Sequence, residues 1–196
     1  MHSLLLATRN SHKTREFTAM LGDGFNVRDL ADATELPAVE ETGFTFEANA
    51  ILKAVETSKH FPQLTVADDS GLEVDALQGA PGIYSARYAG ENASDTANIA
   101  KLLMELTRRS PASHSARFRC CVVLAQRGEV LGIFHGVVEG IIVGAPRGSA
   151  GFGYDPVFQP HGFDQTFAEL SSVEKDRVSH RAQAVQLLRA ALLAKF

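Results

Sequence analysis

Two adjacent aspartates, Asp68 and Asp69, follow an apolar run from Leu64 to Ala67 and precede Ser70-Gly71. A buried strand that ends in acids and a turn would bring both carboxylates to a strand tip, where α/β proteins place ligands. The alternative is an ordinary polar turn, because Asp and Ser are common turn formers. If the strand continues through the pair, the two side chains point to opposite faces and need not share a role.

A second acidic pair, Glu40-Glu41, precedes a glycine turn at Gly43. Carboxylates without His or Cys partners suit hard cations such as Mg²⁺, which bridge to substrate phosphates. Phosphoryl chemistry also needs cations that neutralise phosphate oxygens and a carboxylate that orients or deprotonates water. The two kinds of group together indicate a Mg²⁺-dependent enzyme acting on a nucleotide or another phosphate ester. The scattered donors are Thr8, Asn10, Lys13, Lys53, Arg87, Lys175, His180 and Arg181.

The first donors lie between a predicted buried strand, Ser3–Ala7, and a helix whose apolar stripe includes Phe17. At such a strand–turn–helix junction, free backbone N–H groups and the helix dipole face an anion. Asn10 or Ser11 is the predicted helix cap. The turn is not a Walker loop, because it lacks the Gly-Lys-Ser/Thr ending. The alternative is a capped helix with an exposed Lys13.

A glycine-rich loop, Pro146–Phe158, holds three glycines around Phe152 and then Asp155. Such a loop lets the backbone approach a ligand closely, and Phe152 offers a flat surface on which a base can stack. The alternative is a long loop between strands whose aromatic side chains cover the core.

The C-terminal region begins with a capping-box pattern, Ser171-x-x-Glu174, which predicts a helix start. If one helix runs straight through, Lys175 and Arg181 point to different sides and form part of a solvated face. If Ser179 caps a new helix, the cations of this region can converge on one ligand. They are Lys175, His180 and Arg181.

Length and composition indicate one domain over residues 1–196, with two lobes, because 196 residues with 45% hydrophobic side chains can build one sizeable core. A net charge of −4 argues against partners such as nucleic-acid polymers or anionic membranes. No segment resembles a signal peptide or a membrane span, so we expect a soluble, cytoplasmic protein. The neighbouring Cys120 and Cys121 are expected to be small buried hydrophobes.

The remaining pattern predicts strands and helices in alternation. Helices are expected over Thr45–Phe61 and from Ser94 or Asp95 onward. Strands are expected over Phe25–Leu30, Ala116–Gln126 and Glu129–Val143, with an Arg127-Gly128 turn between the last two.

Six motifs occur in one order and together resemble the Ham1/inosine triphosphate pyrophosphatase family over about residues 4 to 192. Each motif is weak alone, but six in register are specific. They are Thr8-x-Asn10-x-x-Lys13, Glu40-Glu-Thr-Gly43 with Phe46 and Asn49-Ala50, Ala67-Asp-Asp-Ser-Gly71, Gly79-Ala-Pro-Gly-Ile-Tyr-Ser-Ala-Arg87, Gly151-Phe-Gly-Tyr-Asp-Pro156 and Ser179-His-Arg181.

The resemblance implies an α/β fold with a long mixed central β-sheet flanked by helices, and two lobes with an active-site cleft between them. It implies a homodimer that uses Mg²⁺ to cleave ITP, dITP and XTP to the monophosphate and pyrophosphate. It also implies that Asp69 accepts the proton of the attacking water and binds the metal. Glu40 would be the second metal ligand, slightly favoured over Glu41 by its spacing to Gly43, and Asp68 is a further candidate.

Substrate contacts follow from the same resemblance. The triphosphate loop would be Thr8, Arg9, Asn10, Ser11, His12 and Lys13. Lys53, Ser70 and Arg87 would face the phosphates or the sugar. Phe152 would stack on the purine within a segment that includes Gly153 and Tyr154. The edge of the base would be contacted by Asp155, Lys175, His180 and Arg181.

Donors such as His180 or Arg181 at O6 would favour a 6-oxo purine over adenine, whose amino group reverses the hydrogen-bonding pattern. Such polar matching can reject the wrong base by about 10⁴-fold or more. Two alternatives remain at this stage. One is a nucleotide-binding regulatory module that does not hydrolyse, although such a module needs less acid beside a triphosphate. The other is a Maf-type pyrophosphatase acting on modified pyrimidine nucleotides.

Overall fold

The computed structural model describes residues 2–31, 33, 36–110 and 112–195. Its strands are β1 (His2–Leu6), β2 (Phe25–Asp29), β3 (Leu64–Val74), β4 (Ser115–Gln126), β5 (Glu129–Ile142) and β6 (Phe158–Pro160). They form one sheet in the order β2-β1-β3-β4-β5-β6. Strand β1 is parallel to both β2 and β3, whereas β5 and β6 are antiparallel to each other. The predicted α/β class with a mixed sheet is confirmed.

Five α-helices accompany the strands in the described residues. They are α1 (Ser11–Leu21), α2 (Phe46–Ser58), α3 (Asp95–Arg109), α4 (Ser172–Val178) and α5 (His180–Lys195). No helix in the described part of the chain is long and apolar enough to cross a membrane.

The helix starts follow the predicted caps. Asn10 caps α1, because its Oδ1 accepts from the backbone N–H of His12 at 2.9 Å and of Lys13 at 3.3 Å. Ser171 and Glu174 form the capping box of α4. Ser179 leaves the helical conformation, with φ −69° and ψ 159°, so α4 and α5 are separate helices. The hypothesis of a break at Ser179 is therefore correct.

Strand β3 corrects one prediction. It runs without interruption from Leu64 to Val74, so Asp68 and Asp69 lie inside a strand and not at a strand tip before a turn. The physical reason is tertiary. Pairing with β4, which continues the sheet beyond the β1 partners Leu64–Val66, and full burial of Leu72 and Val74 outweigh the local turn preference of Ser70 and Gly71.

The chain divides into two compact units, and the first comprises Met1–Asp69, Cys120–Gly136 and Arg181–Phe196. Its apolar side chains form two clusters, one containing Cys120 and the other Cys121. Successive residues of β4 face opposite sides of the sheet, so the two clusters lie on opposite faces. Helices α1 and α5 pack in the cluster with Cys120, and α2 packs in the cluster with Cys121. Both cysteines are free and buried, as expected.

A two-residue turn within this unit joins β4 to β5. Both of its residues have positive φ, 53° at Arg127 and 84° at Gly128. Two consecutive left-handed residues match the twist of a β-hairpin, so the predicted hairpin is confirmed.

The second unit comprises Ser70–Arg119 and Val137–His180. Its core gathers Leu102 from α3 with three aromatic side chains, Phe118, Phe158 and Phe167. The Phe118 and Phe158 rings meet edge to face, with centroids 4.7 Å apart. The division into a single domain with two lobes and a cleft stays a prediction.

Candidate active site

Asp68 is held by cations on one face of β3. Lys13 Nζ lies 2.9 Å from Oδ1, and Arg181 Nη2 lies 3.1 Å from Oδ2. Burial alone would raise the pKa of Asp68, but Lys13, Arg181 and Lys53 outweigh it and hold that pKa well below its usual range. Arg181 also donates to Glu16 at 2.6 Å. Asp68 therefore stays ionised and fixes two cations in place.

Asp69 points to the opposite face of β3, toward Lys53 and Glu41. Its Oδ1 lies 3.2 Å from Lys53 Nζ, and Glu41 Oε1 lies 2.8 Å from the same nitrogen. Burial raises the pKa of Asp69 and Glu41 acts in the same direction, which together exceed the lowering by Lys53. Asp69 is therefore the more basic of the two adjacent aspartates, which is the property a general base needs.

Lys53 remains protonated between these acids. Burial lowers its pKa, but the charges of Asp69, Asp68 and Glu41 raise it overall. Its ammonium lies within hydrogen-bonding distance of two carboxylates at once, so the carboxylates of Asp69 and Glu41 already share a cation. We call the whole group the acidic cluster. Its members are Lys13, Glu41, Lys53, Asp68, Asp69 and Arg181.

Helix α2 positions part of this cluster through Asn49, which the sequence did not single out as a site residue. Asn49 lies four residues before Lys53, so both side chains project from one helix face. Its Nδ2 donates to Asp69 at 3.3 Å, and its Oδ1 accepts from the Gly43 N–H at 2.8 Å. Asn49 therefore connects Gly43, two residues after Glu41, to Asp69, the candidate general base. Two signals for Asn49 were available in the sequence: its spacing from Lys53 and its place in the motif that begins at Glu40.

The two glutamates of the predicted metal pair differ in surroundings. Glu41 is half-buried and contacts Lys53, whereas Glu40 is exposed and its carbonyl accepts from the Thr42 N–H at 3.1 Å. The oxygen-only donors of Asp69 and Glu41 are the kind that Mg²⁺ prefers. The Glu40 assignment stays a prediction.

The polar turn before α1 is organised by its own hydrogen bonds. Thr8 Oγ1 accepts from the Asn10 N–H at 3.1 Å. Arg9 donates to the carbonyl oxygen of Ala33 at 3.1 Å and also to that of Leu36. These contacts fix the turn against the segment that follows β2.

The start of α1 carries the remaining residues of the predicted triphosphate loop. Ser11 is the first helical residue, and His12 Nδ1 lies 2.9 Å from Arg15 Nη2. Lys13 forms an ion pair with Asp68. The turn and the acidic cluster therefore meet at Lys13.

A second cluster lies in the second unit, around a buried ion pair. Asp155 Oδ2 accepts from Lys175 Nζ at 2.6 Å and from the Phe152 N–H at 2.9 Å. Lys175 Nζ lies 4.9 Å from the centroid of the Phe152 ring. Gly151 has φ +75°, and a Cβ there would stand 2.0 Å from Asp155 Oδ2, so the loop requires glycine. We call Phe152, Asp155 and Lys175 the aromatic cluster.

The neighbours of this cluster are used structurally. The Gly153 N–H donates to Asp95 at 2.7 Å. Tyr154 is buried in the core, and its hydroxyl donates to the Ser85 carbonyl at 2.9 Å. Burial raises the pKa of Tyr154, so this hydroxyl stays protonated. Gly153 and Tyr154 therefore stabilise the loop conformation. That they also contact the substrate stays a prediction.

Three further predicted residues are dispersed in the second unit. The His180 ring stacks on Phe118, with centroids 4.8 Å apart. Ser70 is half-buried in β3. Arg87 lies over the Tyr84 ring, 5.3 Å from its centroid. None of these contacts belongs to the two clusters defined above.

Comparison with known proteins agrees with the motif pattern. The model of the Ham1 family matches residues 4–191. The chain belongs to the Ham1 family. This Ham1 chain is 51% identical over 193 residues to a protein of Bacillus licheniformis named dITP/XTP pyrophosphatase, covering 98% of each chain. It is 47% identical over 189 residues to a protein of the same name from Bacillus subtilis, covering 96% of each.

Solved structures agree on the fold. A HAM1 protein from Coxiella burnetii superposes with a TM-score of 0.90 at 40% identity, covering 99% of this chain and 100% of that one. The Staphylococcus aureus Ham1 protein gives a TM-score of 0.88 at 42% identity, with the same coverage. The family resemblance and the inferred α/β fold with a mixed sheet are therefore confirmed.

Proposed function

We propose that this Ham1-family chain hydrolyses nonstandard purine nucleoside triphosphates, dITP, ITP and XTP, to the monophosphate and pyrophosphate. The observation that carries the proposal is the unequal surroundings of two adjacent aspartates: Lys13 and Arg181 both contact Asp68, whereas Asp69 and Glu41 share the Lys53 ammonium. The names of relatives at 51% and 47% identity supply the substrate class.

In the proposed reaction, Asp69 accepts a proton from water as the water oxygen bonds to the α-phosphorus. The bond between the α-phosphorus and the oxygen that bridges to the β-phosphorus then breaks. Pyrophosphate leaves with that electron pair. Lys13 and Lys53 neutralise phosphate oxygens as charge develops. Asp68 keeps Lys13 in position, because it stays ionised beside it.

Mg²⁺ is the proposed cofactor, and the residues present fit it. The candidate ligands are carboxylates only, and Asp69 and Glu41 already attract one shared cationic group, the Lys53 ammonium. When bound, Mg²⁺ would neutralise phosphate charge and polarise phosphoryl oxygens. The contact with Lys53 favours Glu41 over Glu40 as the second ligand. Glu41→Gln should raise the Mg²⁺ concentration needed for half-maximal activity more than Glu40→Gln; the reverse result would restore the sequence-based assignment.

The aromatic cluster is the proposed site of base recognition. Phe152 offers a stacking surface, and the Asp155–Lys175 pair behind it presents both an acceptor and a donor. The roles of His180 and Arg181 at the base edge, and of Ser70 and Arg87 near the sugar or phosphates, follow from the resemblance and stay predictions.

A homodimer and a cytoplasmic location are further proposals, supported by the family resemblance and by the composition. Light scattering during size-exclusion chromatography tests the first, and cell fractionation tests the second. A monomer at assay concentrations, or recovery with membranes, would contradict them.

A substrate panel tests the function. ITP, XTP, dITP, GTP, ATP, dTTP and UTP are each incubated with Mg²⁺, and pyrophosphate and the nucleotide product are measured separately. We expect IMP and pyrophosphate from ITP. IDP and phosphate would disprove cleavage at the α-phosphorus. Preference for pyrimidine nucleotides would favour the Maf-type alternative, and binding without turnover would favour the regulatory module.

Lys13→Ala tests the phosphate role of the α1 turn. We expect a strong rise in KM or fall in kcat, because the variant removes a cation that faces the phosphates. Wild-type kinetics would contradict the phosphate role and leave Lys13 only a structural role as the partner of Asp68.

A further inference from the structure

Three side chains of different chemistry converge in the first unit, outside the acidic cluster. They are Glu47 in the first turn of α2, Cys121 in β4 and His135 in β5. Their ligand atoms all lie within 4.8 Å of one another. His135 Nε2 and Glu47 Oε2 are 3.2 Å apart. We call these three residues the thiol site.

The thiol site is open on one side. Cys121 is 1% exposed and forms its base, whereas the side chains of His135 and Glu47 are 57% and 48% exposed. A dissolved ion can therefore reach the imidazole and the carboxylate first and the sulfur last. Since the two exposed side chains project from the surface, they can adjust their positions around an ion without repacking the core.

The ligand types favour one class of cation. Thiolate, imidazole and carboxylate are the ligands that Zn²⁺ uses, whereas Mg²⁺ prefers oxygen ligands. With Zn–ligand bonds of about 2.0–2.3 Å, tetrahedral ligand atoms lie roughly 3.3–3.8 Å apart. The 3.2 Å separation of His135 and Glu47 is already close to that value. The site needs only a small contraction, and a water molecule can supply the fourth ligand.

Negative charge near the thiol site favours a cation. The charges of Glu47, Asp69 and Asp68 act on Cys121 together, against that of Lys53, and attract a positive ion. On binding, the metal would displace the thiol proton to solvent and form the metal–sulfur bond.

We propose that Glu47, Cys121 and His135 form a binding site for a borderline-soft divalent cation, represented by Zn²⁺. The site is separate from the Mg²⁺ ligands proposed at Asp69, and it does not depend on the proposed hydrolase activity. A cation here would link the start of α2 to β4 and β5, because each element supplies one ligand.

Cobalt spectroscopy provides a test that reports sulfur ligation directly. The purified protein is titrated with Co²⁺ in excess Mg²⁺, so that the carboxylate ligands of the acidic cluster are occupied. We expect a thiolate-to-Co²⁺ charge-transfer band that saturates near one equivalent and disappears when Zn²⁺ is added. Cys121→Ala should abolish the band, whereas Cys120→Ala, which removes the neighbouring buried thiol, should retain it.

The exposed ligands keep the test decisive if the Cys121→Ala variant does not fold. His135→Ala and Glu47→Gln should each weaken Zn²⁺ binding, measured by calorimetry, by about 10-fold or more, with unchanged circular dichroism. His60→Ala, at an exposed histidine after α2, is the matched control and should bind Zn²⁺ like the wild type. Absence of the charge-transfer band in the wild type, its loss in Cys120→Ala, or wild-type Zn²⁺ affinity in both surface variants would overturn the proposal.

Discussion

The acidic cluster and the aromatic cluster both combine acids with cations, but they distribute charge differently. In the aromatic cluster one carboxylate, Asp155, meets one ammonium, Lys175, and both are buried. In the acidic cluster the alternation of β3 assigns two cations to Asp68, whereas Asp69 shares a single ammonium with Glu41. The balanced pair suits fixed recognition. In the function proposed above, the side with Asp69 and Glu41 supplies the general base and the ligands of a metal ion.

This comparison predicts that changes at Asp68, Asp69 and Arg181 act on kcat and stability, and that changes in the aromatic cluster act on KM. The largest expected effect is that of Asp69→Asn, because an amide cannot accept the proton of water. We expect kcat to fall by roughly 10²–10⁴-fold, with dITP binding preserved by calorimetry. Retained turnover would remove Asp69 from the role of base and with it the contrast between the clusters.

Arg181→Met should cause the next largest effect, on stability. The side chain is 2% exposed and contacts both Asp68 and Glu16, so its removal leaves buried negative charge. Removing one partner of a buried pair costs about 3–5 kcal/mol. Urea denaturation measures the free energy of unfolding. Arg108→Met, at an exposed position near the end of α3, is the control and should change it little. Equal stability of the two variants would show that the Asp68 side does not depend on charge compensation.

The contribution of Asp68 to stability should depend on pH. Its folded pKa lies below the unfolded value, so the stabilisation is fully present above the unfolded pKa and is lost as the pH falls toward the folded one. The stability difference between wild type and Asp68→Asn should be on the order of 3 kcal/mol at pH 7. It should shrink as the pH falls below about 4, the ordinary pKa of aspartate. A difference that stays constant with pH would contradict the ionised state of Asp68.

Phe152→Ala tests the other side of the comparison. Loss of a stacked base costs about 1–3 kcal/mol, so KM for dITP should rise by roughly 5- to 150-fold with kcat nearly unchanged. Phe152→Tyr keeps the aromatic face and is the control. If kcat falls as much as kcat/KM in the alanine variant, the aromatic cluster takes part in the transition state and the proposed division of labour is wrong.

Asn10→Ala should have the smallest effect. It removes the side-chain oxygen that accepts from the first turn of α1 and should cost about 1 kcal/mol of stability. Asn10→Asp retains an acceptor and should preserve stability. Since α1 carries Lys13, a modest rise in KM should accompany the alanine substitution, and thermal denaturation with steady-state kinetics measures both. If Asn10→Asp lowers stability as much as Asn10→Ala, loss of the helix cap does not explain the destabilisation.

Local sequence rules predicted the parts of the molecule that local physics determines. The Asn10 cap, the Ser171–Glu174 capping box and the Arg127-Gly128 hairpin each depend on residues within a few positions of one another. The order of the six motifs was sufficient for the family and its fold. Alternation in β3 also predicted that Asp68 and Asp69 would face opposite sides if the strand continued.

Only the tertiary structure decided whether β3 continues past Asp69 and which side chains contact Asp68 and Asp69. Sheet pairing and core burial overrode the turn preference of Ser70-Gly71. Arg181 reaches Asp68 across 113 residues of sequence and Glu16 across 165, and no local pattern encodes such contacts. The same holds for Glu47, Cys121 and His135, which lie on three different elements. The sequence by itself therefore determined which chemical groups are present. Packing decided which of them form ion pairs with one another.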